Sequence, residues 1–169
     1  MRAKLFLLLI SLAFFSCTQN APKTSNTLTE EEKNQEATEI STTFGKMVAF
    51  AEQANLDSAL THFADTTDFV YILNGYSLDY PEFVNQMSAL FKELTNQKYD
   101  ILHEKITFPD KSLAFYTANC TCHMYYKNGD TVTLDPYVQF FTFKKIDNKW
   151  KVIYGVESFI QKSFVNGKK

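Results

Sequence analysis

The spacing of apolar and polar residues divides the chain into stretches of different character. Residues 5–15 carry no charge, and residues 18–34 are rich in Thr, Asn and Glu with almost no apolar side chain. From about Glu36 apolar residues recur at helical spacing, at Ile40, Phe44, Met47, Val48, Ala51 and Ala54. A break at Asn55-Leu56 leads to Asp57, which suits the N-cap of a short helix carrying Leu60 and Phe63. Residues 69–73 form a β-type run closed by the turn pair Asn74-Gly75. Pro81 suits the first turn of a third helix, whose apolar stripe is Phe83, Met87, Leu90, Phe91 and Leu94.

After Gln97 the period becomes two. Residues 99–108 read as a strand, with a turn at Pro109-Asp110-Lys111. Residues 113–126 form a long strand ending at Asn128-Gly129, a strong hairpin signal. Residues 131–146 return, turn at Asp147-Asn148, and residues 150–159 make a last strand. The pattern predicts an α+β fold in which N-terminal helices cover one face of a strongly curved, mostly antiparallel sheet.

Composition changes the picture at the N-terminus. The 169 residues carry a net charge of −2, and 45% are hydrophobic. Such a chain holds one core, is too apolar for a disordered acidic protein, and lacks the basic stripe that nucleic acid requires. Arg2 and Lys4 precede the uncharged run, which is too short to span a bilayer and reads as an export signal. The run ends at Phe14-Phe15-Ser16-Cys17, which resembles the lipobox of bacterial lipoproteins. The resemblance implies cleavage before Cys17, lipidation of that thiol with palmitate-type chains, and attachment to the cell envelope. Thr18, in place of the Asp that retains some lipoproteins at the inner membrane, favours the outer membrane. The expected organisation is a signal peptide at 1–16, a tether at 17–35, one domain at 36–164 and a tail at 165–169. The mature chain would carry a net charge of −4 and no arginine, since Arg2 is the only one. Bidentate guanidinium clamps on phosphates or carboxylates are therefore excluded.

Two segments carry a second resemblance. Asn55-Leu56-Asp57-Ser58-Ala59-Leu60, with Phe63-Ala64-Asp65 and Asp68-Phe69 after it, resembles the second-helix signature of the nuclear transport factor 2-like superfamily, particularly its SnoaL-like members. Asp147-Asn148-Lys149-Trp150-Lys151-Val152-Ile153 is similar to the closing strand of that superfamily. The likeness spans about residues 36–162 and implies a cone of three helices and a curved sheet with a pocket at its open end. Counting from Phe63, the catalytic Asp of ketosteroid-isomerase-like members would fall on Tyr71, and their helix-one tyrosine near Val48. A phenol is a poor base near neutral pH and Val has no proton to give. The Asp-Arg-Asp group of the epoxide-hydrolase branch has no arginine to form it.

Other polar residues remain as candidates. Asp135, Tyr137 and Gln139 share a face by alternation, as do His123 and Tyr125, and Glu157 lies near Tyr154. Asp135 or Glu157 as base, with Tyr137 or His123 as electrophile, would make a lyase or isomerase. The competing expectation for Asp135 is a solvent-facing bend before Pro136. His62 reads as a helix-end or surface residue, and His103 as a mid-strand one. Cys120 and Cys122 share a strand face with Cα atoms about 6.6 Å apart, at the long edge for a disulfide and with parallel Cβ vectors, so a direct bridge would be strained. Without a second Cys pair they suggest buried core residues and no metal site. No cofactor is expected.

The aromatic content is the remaining positive signal. Tyr71, Tyr125, Tyr137 and Tyr154, with Gln139, would line an apolar pocket with hydroxyl handles. The expected function is a membrane-anchored, non-catalytic domain whose cone binds a small apolar or amphipathic ligand or a protein partner. The alternatives are the carboxylate-based lyase or isomerase and a structural module forming a homodimer.

Overall fold

The structure, a computed structural model, describes residues 27–165. The signal peptide, Cys17, most of the tether and residues 166–169 lie outside the described residues. Helix α1 (Glu30–Glu52) begins six residues before the expected start, inside the polar stretch. The reason is a capping box: Thr29 Oγ1 accepts from Glu32 N–H and the Glu32 carboxylate accepts from Thr29 N–H. Such caps contribute about 1 kcal/mol and need no apolar residue, so hydrophobic periodicity passes over them. Glu36 then fixes the helix to the sheet, accepting from Lys145 Nζ at 2.6 Å and Trp150 Nε1 at 2.7 Å.

Helix α2 (Leu56–Leu60) is capped by Asn55, whose side chain accepts from Ser58 N–H, and not by Asp57 as expected. Strand β1 (Val70–Leu73) turns at Asn74-Gly75, with φ of 46° and 89°, into a short strand β2 (Tyr76–Leu78) that the apolar pattern does not predict. Asp79 and Glu82 form a second capping box on α3 (Tyr80–Glu93), with Pro81 in the first turn. Leu94, expected on this helix, instead opens β3 (Leu94–Asp110). The next turn moves to Lys111-Ser112, where Asp110 Oδ1 accepts from Ser112 N–H at 2.7 Å. Strands β4 (Leu113–Tyr126) and β5 (Thr131–Ile146) have the expected limits, and β6 (Lys149–Val165) runs beyond them.

The six strands form one sheet in the order β2-β1-β6-β5-β4-β3. All neighbours are antiparallel except β1 and β6, which pair in parallel with Tyr71 opposite Gly155 and Leu73 opposite Glu157. The helices cover the inner face. An aromatic cluster that includes Phe44, Phe63, Phe69, Phe83, Tyr116 and Phe141 fills one end, and Leu94, Cys120, Cys122, Leu134 and Tyr137 fill the other. The fold is therefore α+β, with the helices packed on one face of the curved sheet as the pattern predicts, although β1 and β2 precede α3. Among the described residues, no helix is long and apolar enough to cross a membrane.

Candidate functional site

Between the two clusters lies a cavity of about 140 Å³. Its walls come from α1, α2, α3 and the inner face of the sheet, and are mostly apolar. Phe44, Met47, Phe63, Phe83, Met87 and Phe141 illustrate the lining. A void of this size accommodates a molecule about as large as benzene. The polar lining is concentrated on the sheet side, in Gln97, Tyr71, Tyr99, Tyr137, Gln139 and Glu157.

Glu157 is the centre of that polar group. Its carboxylate is buried and accepts from Gln139 Nε2 at 2.7 Å and from the hydroxyls of Tyr71 and Tyr137. Its backbone is pinned as well: Asn74 N–H donates to the Glu157 carbonyl and Phe159 N–H to Asn74 Oδ1, each at 2.9 Å. The β1–β2 turn thus fixes the strand that presents the carboxylate. Burial raises the Glu157 pKa above the ordinary carboxylate value, and the three hydrogen bonds counteract part of that rise. Burial, reinforced by the Glu157 charge, pushes the Tyr71 and Tyr137 phenols well above their usual range. They are hydrogen-bond donors at every ordinary pH.

A second set of bonds ties this cluster to α1. Tyr99 OH donates to Gln97 Oε1 at 3.1 Å, and Gln97 Nε2 donates to the carbonyl of Ala51 at 3.2 Å. Cys122 Sγ also points at Gln97 Oε1, and Cys120 Sγ at the Tyr137 carbonyl and Gln139 Oε1. Both thiols are free and buried, and burial pushes each up to about 12. They are protonated, which makes them small core residues with weak donors. Among the described residues no group of His, Cys, Asp or Glu could hold a metal ion.

The sequence candidates separate sharply. Tyr71, Tyr137, Gln139 and Glu157 meet at the cavity. Asp135 does not: its carboxylate binds Lys162 Nζ at 2.6 Å on the other face, and that lysine holds its pKa below the ordinary value. The cause is a register shift. Between Leu134 and Tyr137, β5 sets two residues against one on both β4 and β6, so Asp135-Pro136 is an outward bulge. His123 and Tyr125 also point away, because they alternate with the inward Cys122 and Met124. His123 Nδ1 lies 3.1 Å from Thr133 Oγ1 and its Nε2 3.7 Å from Asp100, while Tyr125 is 40% exposed. Tyr154 is displaced by a bulge in β6, where Val152 and Tyr154 oppose the consecutive residues Phe143 and Thr142. The bulge shifts the inward positions from Trp150 and Val152 to Gly155 and Glu157. His62 stacks on Phe50 just beyond α2, and His103 is exposed.

Three residues of the site, Gln97, Tyr99 and Gly155, are not singled out by the sequence pattern. The first two lie near the start of β3, where a register shift between Leu94 and Asn96 interrupts the regular pairing. Gly155 matters for its lack of a side chain, since a Cβ there would lie 2.5 Å from the Tyr71 ring and 3.2 Å from Phe141. The missing methyl lets the Tyr71 ring lie against β6 and reach Glu157. A glycine within a long strand is the available signal for such an approach.

No protein-family model matches the chain, and no curated protein sequence matches it. Solved structures do resemble it. A protein provisionally assigned as a scytalone dehydratase from Novosphingobium aromaticivorans superimposes with a TM-score of 0.69 at 10% identity, covering 83% of this chain and 93% of that one. The hexachlorocyclohexane dehydrochlorinase LinA-type3 from Novosphingobium barchaimii gives 0.64 at 9% identity, covering 81% and 93%. An NTF-2-like protein of unknown function from Shewanella oneidensis gives 0.56 at 17% identity, covering 73% and 98%. Identities this low speak for architecture alone, and the architecture is the nuclear transport factor 2-like cone.

Proposed function

We propose that this chain is a SnoaL-like lipoprotein of the bacterial cell envelope whose cone binds a small, mainly apolar molecule without turning it over. The observation that carries the reading is the cavity itself. Apolar side chains from three helices and the sheet surround a space of about 140 Å³, and one hydrogen-bonded cluster lies on one side of it. An apolar enclosure with a few fixed polar groups binds and orients a ligand. Absence of turnover is supported by what surrounds Glu157. Its partners Tyr71 and Tyr137 stay protonated, and Asp135 and His123 lie on the opposite face. The non-catalytic reading rests on the lack, among the described residues, of a second carboxylate or a histidine at the cavity, where the phenols of Tyr71 and Tyr137 are the proton donors beside Glu157. The lipid on Cys17, seated at the outer membrane, would hold the domain close to the bilayer.

A second reading has a specific observation in its favour. Glu157 is a buried carboxylate of raised pKa facing a ring-sized space, the usual requirement of a general base. Fold relatives described as a dehydratase and a dehydrochlorinase make elimination the reaction class to assay.

Native mass spectrometry of protein purified from its own membrane tests the first reading. We expect a retained small molecule and the mass of an acylated Cys17 at the N-terminus, and the same spectrum reads subunit number. An unmodified Cys17 overturns the lipoprotein assignment. Catalytic consumption of a ring-sized substrate, lost in Glu157→Gln, overturns the non-catalytic one.

A further inference from the structure

Glu157 is the one carboxylate among the described cavity-lining residues, which include no Asp, Lys, Arg or His. Each of its hydrogen-bond partners, Gln139, Tyr71 and Tyr137, is neutral. Buried carboxylates ordinarily face a cation, and the described ion pairs do not include Glu157. Aromatic rings stand around the same space: Tyr71 and Phe83 have centroids 4.4 Å apart, Phe63 and Phe83 5.0 Å, Tyr137 and Phe159 5.6 Å. Ring faces attract ammonium groups, and more strongly where water is excluded. The chain thus provides a buried carboxylate and an aromatic wall and leaves the cation out.

We infer that the cone selects a small organic amine, an ammonium group on a ring-sized apolar body, with the ammonium paired to Glu157. The inference rests on the cavity being a binding site and adds the chemical class of its occupant. The ammonium would donate to the carboxylate oxygens, and the apolar body would lie against Phe83, Phe141 and Met87, which line the same space. The space beside Glu157 holds a body of about one six-membered ring.

Other titratable groups near Glu157 do not substitute for it. Tyr71 on β1, Tyr99 on β3, Cys120 and Cys122 on β4 and Tyr137 on β5 all have pKa values raised by burial, so they stay neutral. The lining residues from α2 and α3 are uncharged. On α1, Glu52 is turned to Tyr99 N–H and Lys98. Amine binding should therefore follow ionisation of Glu157 alone, strengthening as pH rises through that titration and weakening again where the amine itself loses its proton.

The test is titration of the full chain with benzylamine, benzyl alcohol, benzaldehyde and toluene, followed calorimetrically. These probes share a ring and differ in the polar group. Benzylamine should bind about tenfold or more tighter than the others, as expected of a charge-assisted bond in a buried site. Glu157→Gln should remove that preference while toluene binding persists. The pH series on the unaltered protein gives the same information should the variant fail to fold. Toluene or benzyl alcohol binding as well as benzylamine overturns the amine inference and leaves the binding cavity standing. Benzaldehyde binding best also overturns it, because a protonated Glu157 would then be donating to a carbonyl. If none of the probes binds, the ring-sized binding site falls, and the amine inference with it.

Discussion

The two faces of the sheet carry the same kinds of side chain and use them in opposite ways. On the inner face Tyr71, Tyr137, Gln139 and Glu157 satisfy one another through neutral donors around a single buried carboxylate. On the outer face Asp135 pairs with Lys162, and His123 with Thr133 and Asp100, at the edge of water. Tyr137 lies two residues from Asp135, so neither residue type nor neighbourhood in sequence decides which carboxylate is buried. The extra residue in β5 does, and the matching bulge in β6 turns Glu157 inward and Tyr154 outward. Irregularities of pairing thus select the site from residues that alternation alone would have distributed differently.

The largest contrast between the faces should be in stability. Phe143 is fully buried and packs edge-on against Tyr116 and Phe141, with centroids 6.2 and 6.3 Å away. Phe115, one strand away and facing outward, is 36% exposed and touches Phe140. Phe143→Ala should cost about 3–5 kcal/mol by opening a large core cavity, and Phe115→Ala less than about 1 kcal/mol. Urea unfolding of the two variants measures this. Equal losses would mean that the outer face is covered by another surface, as in a dimer.

Glycines give a smaller contrast of opposite sign. Gly155→Ala drives a methyl group into the Tyr71 ring and should destabilise the fold by about 1–3 kcal/mol. It should also separate Tyr71 from Glu157. Gly45 lies exposed within α1, where an added Cβ meets nothing within 4 Å. Gly45→Ala should stabilise by about 0.5–1 kcal/mol through helix propensity. Thermal unfolding of both variants reads the signs, and a stabilised Gly155→Ala would contradict the close approach of Tyr71 to β6.

How far the sequence carries follows from these cases. Strands β4 and β5 are bounded by Asn128-Gly129 and Asp147-Asn148, local signals that need no tertiary knowledge, and their limits are read correctly. The start of α1 is also legible, in Thr29 and Glu32, but apolar spacing cannot detect a polar cap. The site is legible only as a set of residue types. Bringing Tyr71 to Glu157 requires β1 to pair in parallel with β6, more than 80 residues later, and no local pattern announces that pairing. Alternation misplaces Asp135 and Tyr154 because it does not survive a bulge.

The finest contrast is between the two carboxylates, and its readout is the sign of a pH dependence. Glu157 has a folded-state pKa above its ordinary value of 4.5, because burial disfavours the charge. Between 4.5 and that raised value the folded chain keeps a proton that the unfolded chain has released. Stability therefore falls as pH rises through this window, by at most one proton's worth, about 1.4 kcal/mol per pH unit, and levels off once Glu157 has ionised. Asp135 has a folded-state pKa below its ordinary value of 3.8, because Lys162 donates to it. Its contribution is present above 3.8 and is lost as pH falls through the lowered value. Subtracting the unfolding profile of Glu157→Gln from that of the unaltered protein should leave a slope only above pH 4.5, negative with rising pH. The same subtraction for Asp135→Asn should leave a weaker slope below 3.8, positive with rising pH, and added salt should flatten it because that pair is exposed. A flat Glu157 difference would mean that Gln139, Tyr71 and Tyr137 fully offset its burial, so that the carboxylate stays ionised without needing a cation in the cone.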